Sequence, residues 1–118
     1  MKLSIIIPVH KINKIVLECI EIIYNQIKNH ELIIACDKID FSFKNAKIIK
    51  SDKKLYANKI RNFAAKSTSG DYIIFMDSDI IVKNNFIEEI EKYIKNNNLE
   101  ILNFPTESEK SNNIFAKY

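Results

Sequence analysis

The apolar positions of this 118-residue chain fall into runs of two kinds. Leu3–Ile7, Glu31–Cys36, Ala46–Ile49, Tyr72–Met76 and Leu99–Phe104 are short and nearly continuous. Runs of that length predict strands buried on both faces of a parallel sheet. Between them the period changes. Val16, Ile20, Ile23, Tyr24 and Ile27 recur three and four apart, which predicts a helix over Ile15–Ile27. Leu55, Ile60, Phe63, Ala64 and Ser67 mark a second helix, and Ile87, Ile90 and Ile94 a third over Phe86–Ile94. Ser51-Asp52 is the expected cap of the second helix, and Gly70, the one glycine of the chain, its left-handed stop. Strands alternating with helices predict an α/β domain over residues 1–104: a doubly wound, mostly parallel sheet of about five strands with helices on both faces. Residues 105–118 are polar apart from Ile114-Phe115 and carry no assignable element.

In such a sheet, ligands sit beyond the carboxyl ends of the strands, where the strand order reverses. The first strand runs into Pro8, Val9, His10 and Lys11, the second ends at Asp37, and the fourth ends in Asp77-Ser78-Asp79. A first strand flanked by the second and the fourth would gather all three tips around one crevice. Asp77 and Asp79 leave an extended backbone on the same side, so together they offer oxygen ligands for a divalent cation. Taken alone, Asp71–Asp79 is more simply a strand followed by an acidic turn, since Asp and Ser are ordinary turn residues. The other tips favour the cation. The first strand is followed by neither a GxGxxG turn nor a lysine-bearing P-loop, which excludes the two commonest phosphate cradles.

Composition narrows the class. Apolar residues make up 47% and charged residues 28%, as in an ordinary globular protein, and the net charge of +3 is spread along the chain. No basic track supports a nucleic-acid partner. Cys19 and Cys36 lack metal or redox spacing and are expected to be buried, reduced thiols. The apolar run before Pro8 is too short for a signal segment or a membrane span, so the expected location is the cytoplasm, including the inner face of the membrane.

Four blocks in register resemble the nucleotide-sugar-binding half of a family 2 glycosyltransferase with the GT-A, Rossmann-like fold. They are Ser4-Ile5-Ile6-Ile7-Pro8-Val9, Glu31 to Asp37, Lys59-Ile60-Arg61-Asn62-Phe63-Ala64, and Gly70-Asp71-Tyr72-Ile73-Ile74-Phe75-Met76-Asp77-Ser78-Asp79, the last running into a DXD motif. The resemblance implies metal-dependent, inverting transfer of a sugar from a nucleoside diphosphate, uridine first, to a glycan, lipid or other acceptor, with association to a membrane surface. It implies that Asp37 binds the base and that Pro8, Val9 and His10 lie against base and ribose. Asp79, with Asp77 second, would hold Mn²⁺ or Mg²⁺; Asp77 and Ser78 would also meet the substrate, and Arg61 would lie near base or diphosphate. Asn62 would fix the local backbone.

Departures are specific. His10-Lys11 stands where the family often has Tyr-Asn, Cys36-Asp37-Lys38-Ile39 replaces Asp-Asp-Gly-Ser, and Ile80 replaces a third acid. The acceptor-binding half and its general base are expected beyond this stretch, residues 105–118 being a tail or the start of that half. No base is assigned. Two other functions fit the same residues: a binding module that holds a nucleotide sugar without turnover, and a nucleotidyltransferase. The second normally needs a glycine-rich basic loop after its first strand, where His10-Lys11-Ile12-Asn13 has no glycine.

Overall fold

The computed structural model describes residues 1–37, 41–51 and 57–97. Strand β1 (Leu3–Val9) is buried at every position. Its side chains alternate between two apolar layers, as the pleat requires. Leu3, Ile5, Ile7 and Val9 join helix α1 (Lys14–Tyr24) and helix α3 (Phe86–Asn97) on one face of the sheet. Ile6 joins Ile33 and Ala35 of β2 (Glu31–Asp37) and Ile60 and Ala64 of α2 (Ala57–Ala65) on the other. Helices therefore cover both faces, and β1 must sit inside the sheet. With β3 (Lys47–Ser51) and β4 (Tyr72–Phe75), the order is β3-β2-β1-β4 and every pairing is parallel.

The helices follow their apolar stripes. Asn13 is extended and its side chain accepts from Val16 N at 2.9 Å, starting α1. α1 stops at Tyr24, three residues before the expected end, because the chain turns at Asn25 and Lys28 adopts a left-handed φ of 48°. Ile27 still packs on the core, from the turn. Gln26 braces the start of α3: Nε2 donates to Lys83 O, just before the helix, at 2.7 Å, and Oε1 accepts from Ile87 N in its first turn at 3.0 Å.

Three local expectations change. Ser51 is no helix cap: it belongs to β3, opposite Asp37, since the strand runs two residues beyond its apolar stretch. α2 buries Ile60 and Ala64, whereas Phe63 is 39% exposed. Gly70 is not a left-handed stop, for no glycine has a positive φ. What Gly70 supplies is room. A Cβ there would lie 2.5 Å from Ser4 Oγ, 2.7 Å from Ser4 N and 2.9 Å from Leu3 C. The close approach lets Gly70 N–H donate to Ser4 Oγ at 2.8 Å, while that hydroxyl donates to Glu31 Oε1 at 2.7 Å. Ser4 is the one buried polar residue of the described core, and both of its bonds are satisfied. The Lys2 carbonyl accepts from Asp71 N at 2.7 Å, which fixes the register of β4 from its first residue.

His30 is built into the domain: its side chain is 6% exposed, between the sheet and α3. Nδ1 accepts from Leu3 N at 3.0 Å and Nε2 faces Glu91 Oε1 at 2.9 Å. A ring nitrogen that accepts carries no proton, so the imidazole is neutral and Nε2–H donates to Glu91. The fifth strand, Leu99–Phe104, Leu55 and Lys53-Lys54 lie outside the described residues.

Candidate functional site

The strand order turns back on itself between β1 and β4. β1 is followed outward on one side by β2 and β3, and β4 lies alone on the other. The carboxyl ends of β1 and β4 are therefore neighbours at the reversal, as a ligand crevice requires. Alternation decides what each tip offers. Lys2 and Ile6 turn their carbonyls to the β4 side, accepting from Tyr72 N and Met76 N, so Pro8 presents its nitrogen there too. A proline costs no ladder bond at that point, because the β1–β4 register ends at Ile6–Phe75. Pro8 and Val9 are buried, and Val9 is sealed in the α1–α3 layer, so at this tip the exposed side chains are His10 and Lys11. Asp37 closes β2 beside them.

After Met76 the chain leaves the sheet as Asp77-Ser78-Asp79. Its backbone is held: the Asp77 carbonyl accepts from Ile80 N at 3.4 Å and from the Cys19 thiol, Sγ to O 3.8 Å. Val82, 6% exposed, and Phe86, 1% exposed, then tie the following segment to the core. Asp79 is exposed, and Asp77 and Ser78 are half-buried. α2, which links β3 to β4, delivers Arg61 across the tip. Its Nη2 donates to Asp77 Oδ1 at 2.6 Å, a charge-assisted bond. Arg61 Nε is buried and has no partner among the described residues. Asn62, next to it, is exposed.

Cys19 lies directly beneath this loop. Burial pushes its thiol up to about 12, Ile80 N–H draws it down, and the Asp79 and Asp77 charges raise it further. The sulfur is thus a protonated floor to the site and not a nucleophile. Neither cysteine forms a disulfide, and both are buried.

The acids provide hard oxygen donors suited to Mn²⁺ or Mg²⁺. Among the described residues no three His, Cys, Asp or Glu side chains converge as a closed cage. An open pair of carboxylates fits a cation whose remaining positions are filled by phosphate oxygens and water, which is the usual state of Mg²⁺ on a phosphorylated ligand. A separate cleft of about 480 Å³ opens at the amino ends of the strands, near Lys2, His30, Glu31 and Lys47. Three of its charged groups hold neighbouring segments together: Lys2 on Ser69, Glu31 on Ser4 and Ser69, Lys47 on the Ser67 carbonyl. The carboxyl-end crevice is the candidate site.

The tips expected to share one crevice, Pro8 to Lys11, Asp37 and Asp77 to Asp79, close the adjacent strands β1, β2 and β4; Arg61, expected near base or diphosphate from the resemblance alone, reaches Asp77 from α2. Sequence reasoning missed the ion pair between Arg61 and Asp77, the Cys19 contact and the Gln26 clamp. Only Arg61 carried a signal, its register in the block Lys59 to Ala64.

The glycosyl transferase family 2 model matches residues 4–117. Glycosyltransferase GlyG of Streptococcus pneumoniae serotype 4 is 25% identical over 112 residues, 85% of this chain and 37% of its own length. A poly(ribitol-phosphate) beta-glucosyltransferase of Bacillus spizizenii is 30% identical over 118 residues, 86% of this chain and 18% of its own length. The crystal structure of S. aureus TarS 1-349 superposes with a TM-score of 0.75 at 20% identity, covering 91% of this chain and 36% of that one. The fold is therefore that of the GT-A glycosyltransferases. The chain spans well under half the length of the curated relatives it matches. Among the described residues no helix is long and apolar enough to cross a membrane.

Proposed function

The chain belongs to glycosyl transferase family 2, and from that premise we propose that it binds a nucleoside diphosphate sugar with a divalent cation as the donor half of an inverting transfer. The observation that carries this reading is the Arg61–Asp77 pair, with Asp79 exposed two residues on, at the place where the strand order reverses. Asp79 and Asp77 would hold Mn²⁺ or Mg²⁺. Such an ion, when bound, offsets the charge that grows on the departing diphosphate.

The remaining work falls to this chain's own groups. Asp37 can accept an imide N–H, which makes uridine the first choice of base. Val9 offers its backbone, and His10 its side chain, to base and ribose. The buried core behind β1 and β4 keeps both tips rigid, so the donor is positioned and not merely attracted. In the reaction the bond from the anomeric carbon to the diphosphate oxygen breaks, and one to an acceptor oxygen forms. The acceptor proton passes to a general base. The Bacillus relative is a beta-glucosyltransferase by name. Activated glucose is ordinarily alpha-linked, which supports inversion here.

Calorimetric titration of the protein with UDP-sugars, with and without Mn²⁺, tests the reading. Metal-dependent binding that disappears in Asp79→Ala is the expected result. Binding of equal strength without metal, or no binding of any nucleotide sugar, would overturn it. Metal-dependent binding without sugar release in the presence of acceptors would mark a binding module instead.

A further inference from the structure

Arg61 is the only arginine among 18 cationic residues, in a chain that uses lysine everywhere else. Its partner is equally particular. Nη2 meets Asp77 Oδ1 at 2.6 Å, with 27% of the Arg61 side chain and 48% of that of Asp77 exposed. Water reaches this pair, so it adds little to stability for its own sake. A second observation stands beside it: Nε is buried without a partner among the described residues, an N–H shielded from water and still lacking an acceptor. A lysine has no such second donor at a fixed angle to the first.

The consequence concerns the acids. The Asp77 backbone is held through its carbonyl by Ile80 N and the Cys19 thiol, while its carboxylate is drawn to α2. One oxygen of Asp77 is thus already occupied. A dication approaching the pair would meet one unopposed carboxylate, Asp79, and a guanidinium at the other. Like charges at such range repel strongly in a half-buried site. A cation that arrives with a diphosphate brings its own compensating charge.

We propose that Arg61 is the built-in counter-ion of Asp77, which keeps the acid pair from taking a divalent cation alone and makes cation and nucleoside diphosphate bind as a pair. This rests on the reading that the site takes both. It makes Arg61 a positioning and coupling residue. By linkage, whatever factor the diphosphate adds to cation affinity, the cation adds to diphosphate affinity.

The test is Mn²⁺ binding, followed by the loss of the free-ion electron paramagnetic resonance signal, with and without UDP, for the wild type, Arg61→Gln and Arg61→Met. Thermal unfolding confirms that each variant folds; Gln keeps a donor for Asp77 and Met does not, so either can decide. Neutral variants should bind Mn²⁺ without nucleotide about fivefold or more tightly than the wild type. The enhancement by UDP, about tenfold or more in the wild type, should shrink by a similar factor, within the usual range of such couplings. Simple ligation of Mn²⁺ by phosphate oxygens predicts no gain in the absence of UDP. Unchanged or weaker Mn²⁺ binding in both variants, with UDP enhancement intact in the wild type, would overturn the coupling and leave the proposed function standing. No UDP-dependent Mn²⁺ binding in the wild type would overturn both.

Discussion

Replacing Gly70 by alanine and by asparagine separates two physical accounts of the single glycine in this chain. A left-handed helix stop tolerates asparagine nearly as well as glycine. A close approach of two strands does not. The added Cβ would lie 2.7 Å from Ser4 N and 2.9 Å from Leu3 C, both inside the 3.0 Å limit that real Cβ contacts respect, and both are backbone atoms of the central strand. They cannot swing away, so β4 must shift relative to β1. Overpacking of this kind costs about 1–3 kcal/mol. The shift also stretches the Gly70–Ser4 and Ser4–Glu31 hydrogen bonds, at roughly 1 kcal/mol each. A total near 3 kcal/mol corresponds to a fall in Tm on the order of 10 °C for a domain of this size. Urea unfolding followed by circular dichroism measures it, with an unchanged m-value showing that the folded state is otherwise intact. Asparagine, being larger, should cost at least as much as alanine. An asparagine variant within about 0.5 kcal/mol of the wild type, the spread of innocuous surface changes, would refute the steric account.

Three further outcomes follow from the same network and from the floor of the site. Burial raises the Glu31 carboxyl, but Ser69 N–H, the Ser4 hydroxyl and the Lys47 charge outweigh it and hold the group below its ordinary value. Its contribution is therefore complete above the unfolded value near 4.5 and lost as pH falls through the lower folded one. The Tm difference between wild type and Glu31→Gln should shrink on acidification from neutrality, and a constant difference contradicts the assignment. His30→Ala strands Leu3 N–H and Glu91 together, and should destabilise by about 2–3 kcal/mol in denaturant titrations; a loss under about 0.5 kcal/mol would mean that water replaces the ring. Because burial pushes the Cys19 thiol up to about 12, and Cys36 is fully buried, neither should react with a disulfide reagent at neutral pH until the protein unfolds. Labelling faster than unfolding would show that the loop over Cys19 opens on its own.

Much of the architecture is present in the one-dimensional pattern. The runs Leu3–Ile7 and Glu31–Cys36, apolar on both faces of the pleat apart from Ser4 and Glu31, read as strands covered on both sides, and the helical spacing of Val16, Ile20 and Ile23 tells which face α1 buries. Those signals are local, arising within a few residues, and they survive without knowledge of neighbours. The strand tips that carry Pro8, Asp37 and Asp77 follow from the same pattern, together with the rule that ligands sit at carboxyl ends. What periodicity cannot encode is the partner of a residue far away. Gly70 looked like a helix stop because glycine follows many helices, whereas its reason lies 66 residues back, at Ser4. Nothing in the local pattern around His30 points to Leu3 and Glu91, which close on it from opposite ends of the domain.

The sequence by itself determined that this chain forms a parallel α/β sheet with acids at the end of its fourth apolar strand. Only the tertiary structure decided that β4 lies beside β1, that Arg61 reaches across from α2 to Asp77, and that Cys19 lies beneath them. The physical reason is that apolar burial fixes which face each element hides, while charge and hydrogen-bond pairing depend on angstrom distances between elements. Those distances exist only once the strand order is set.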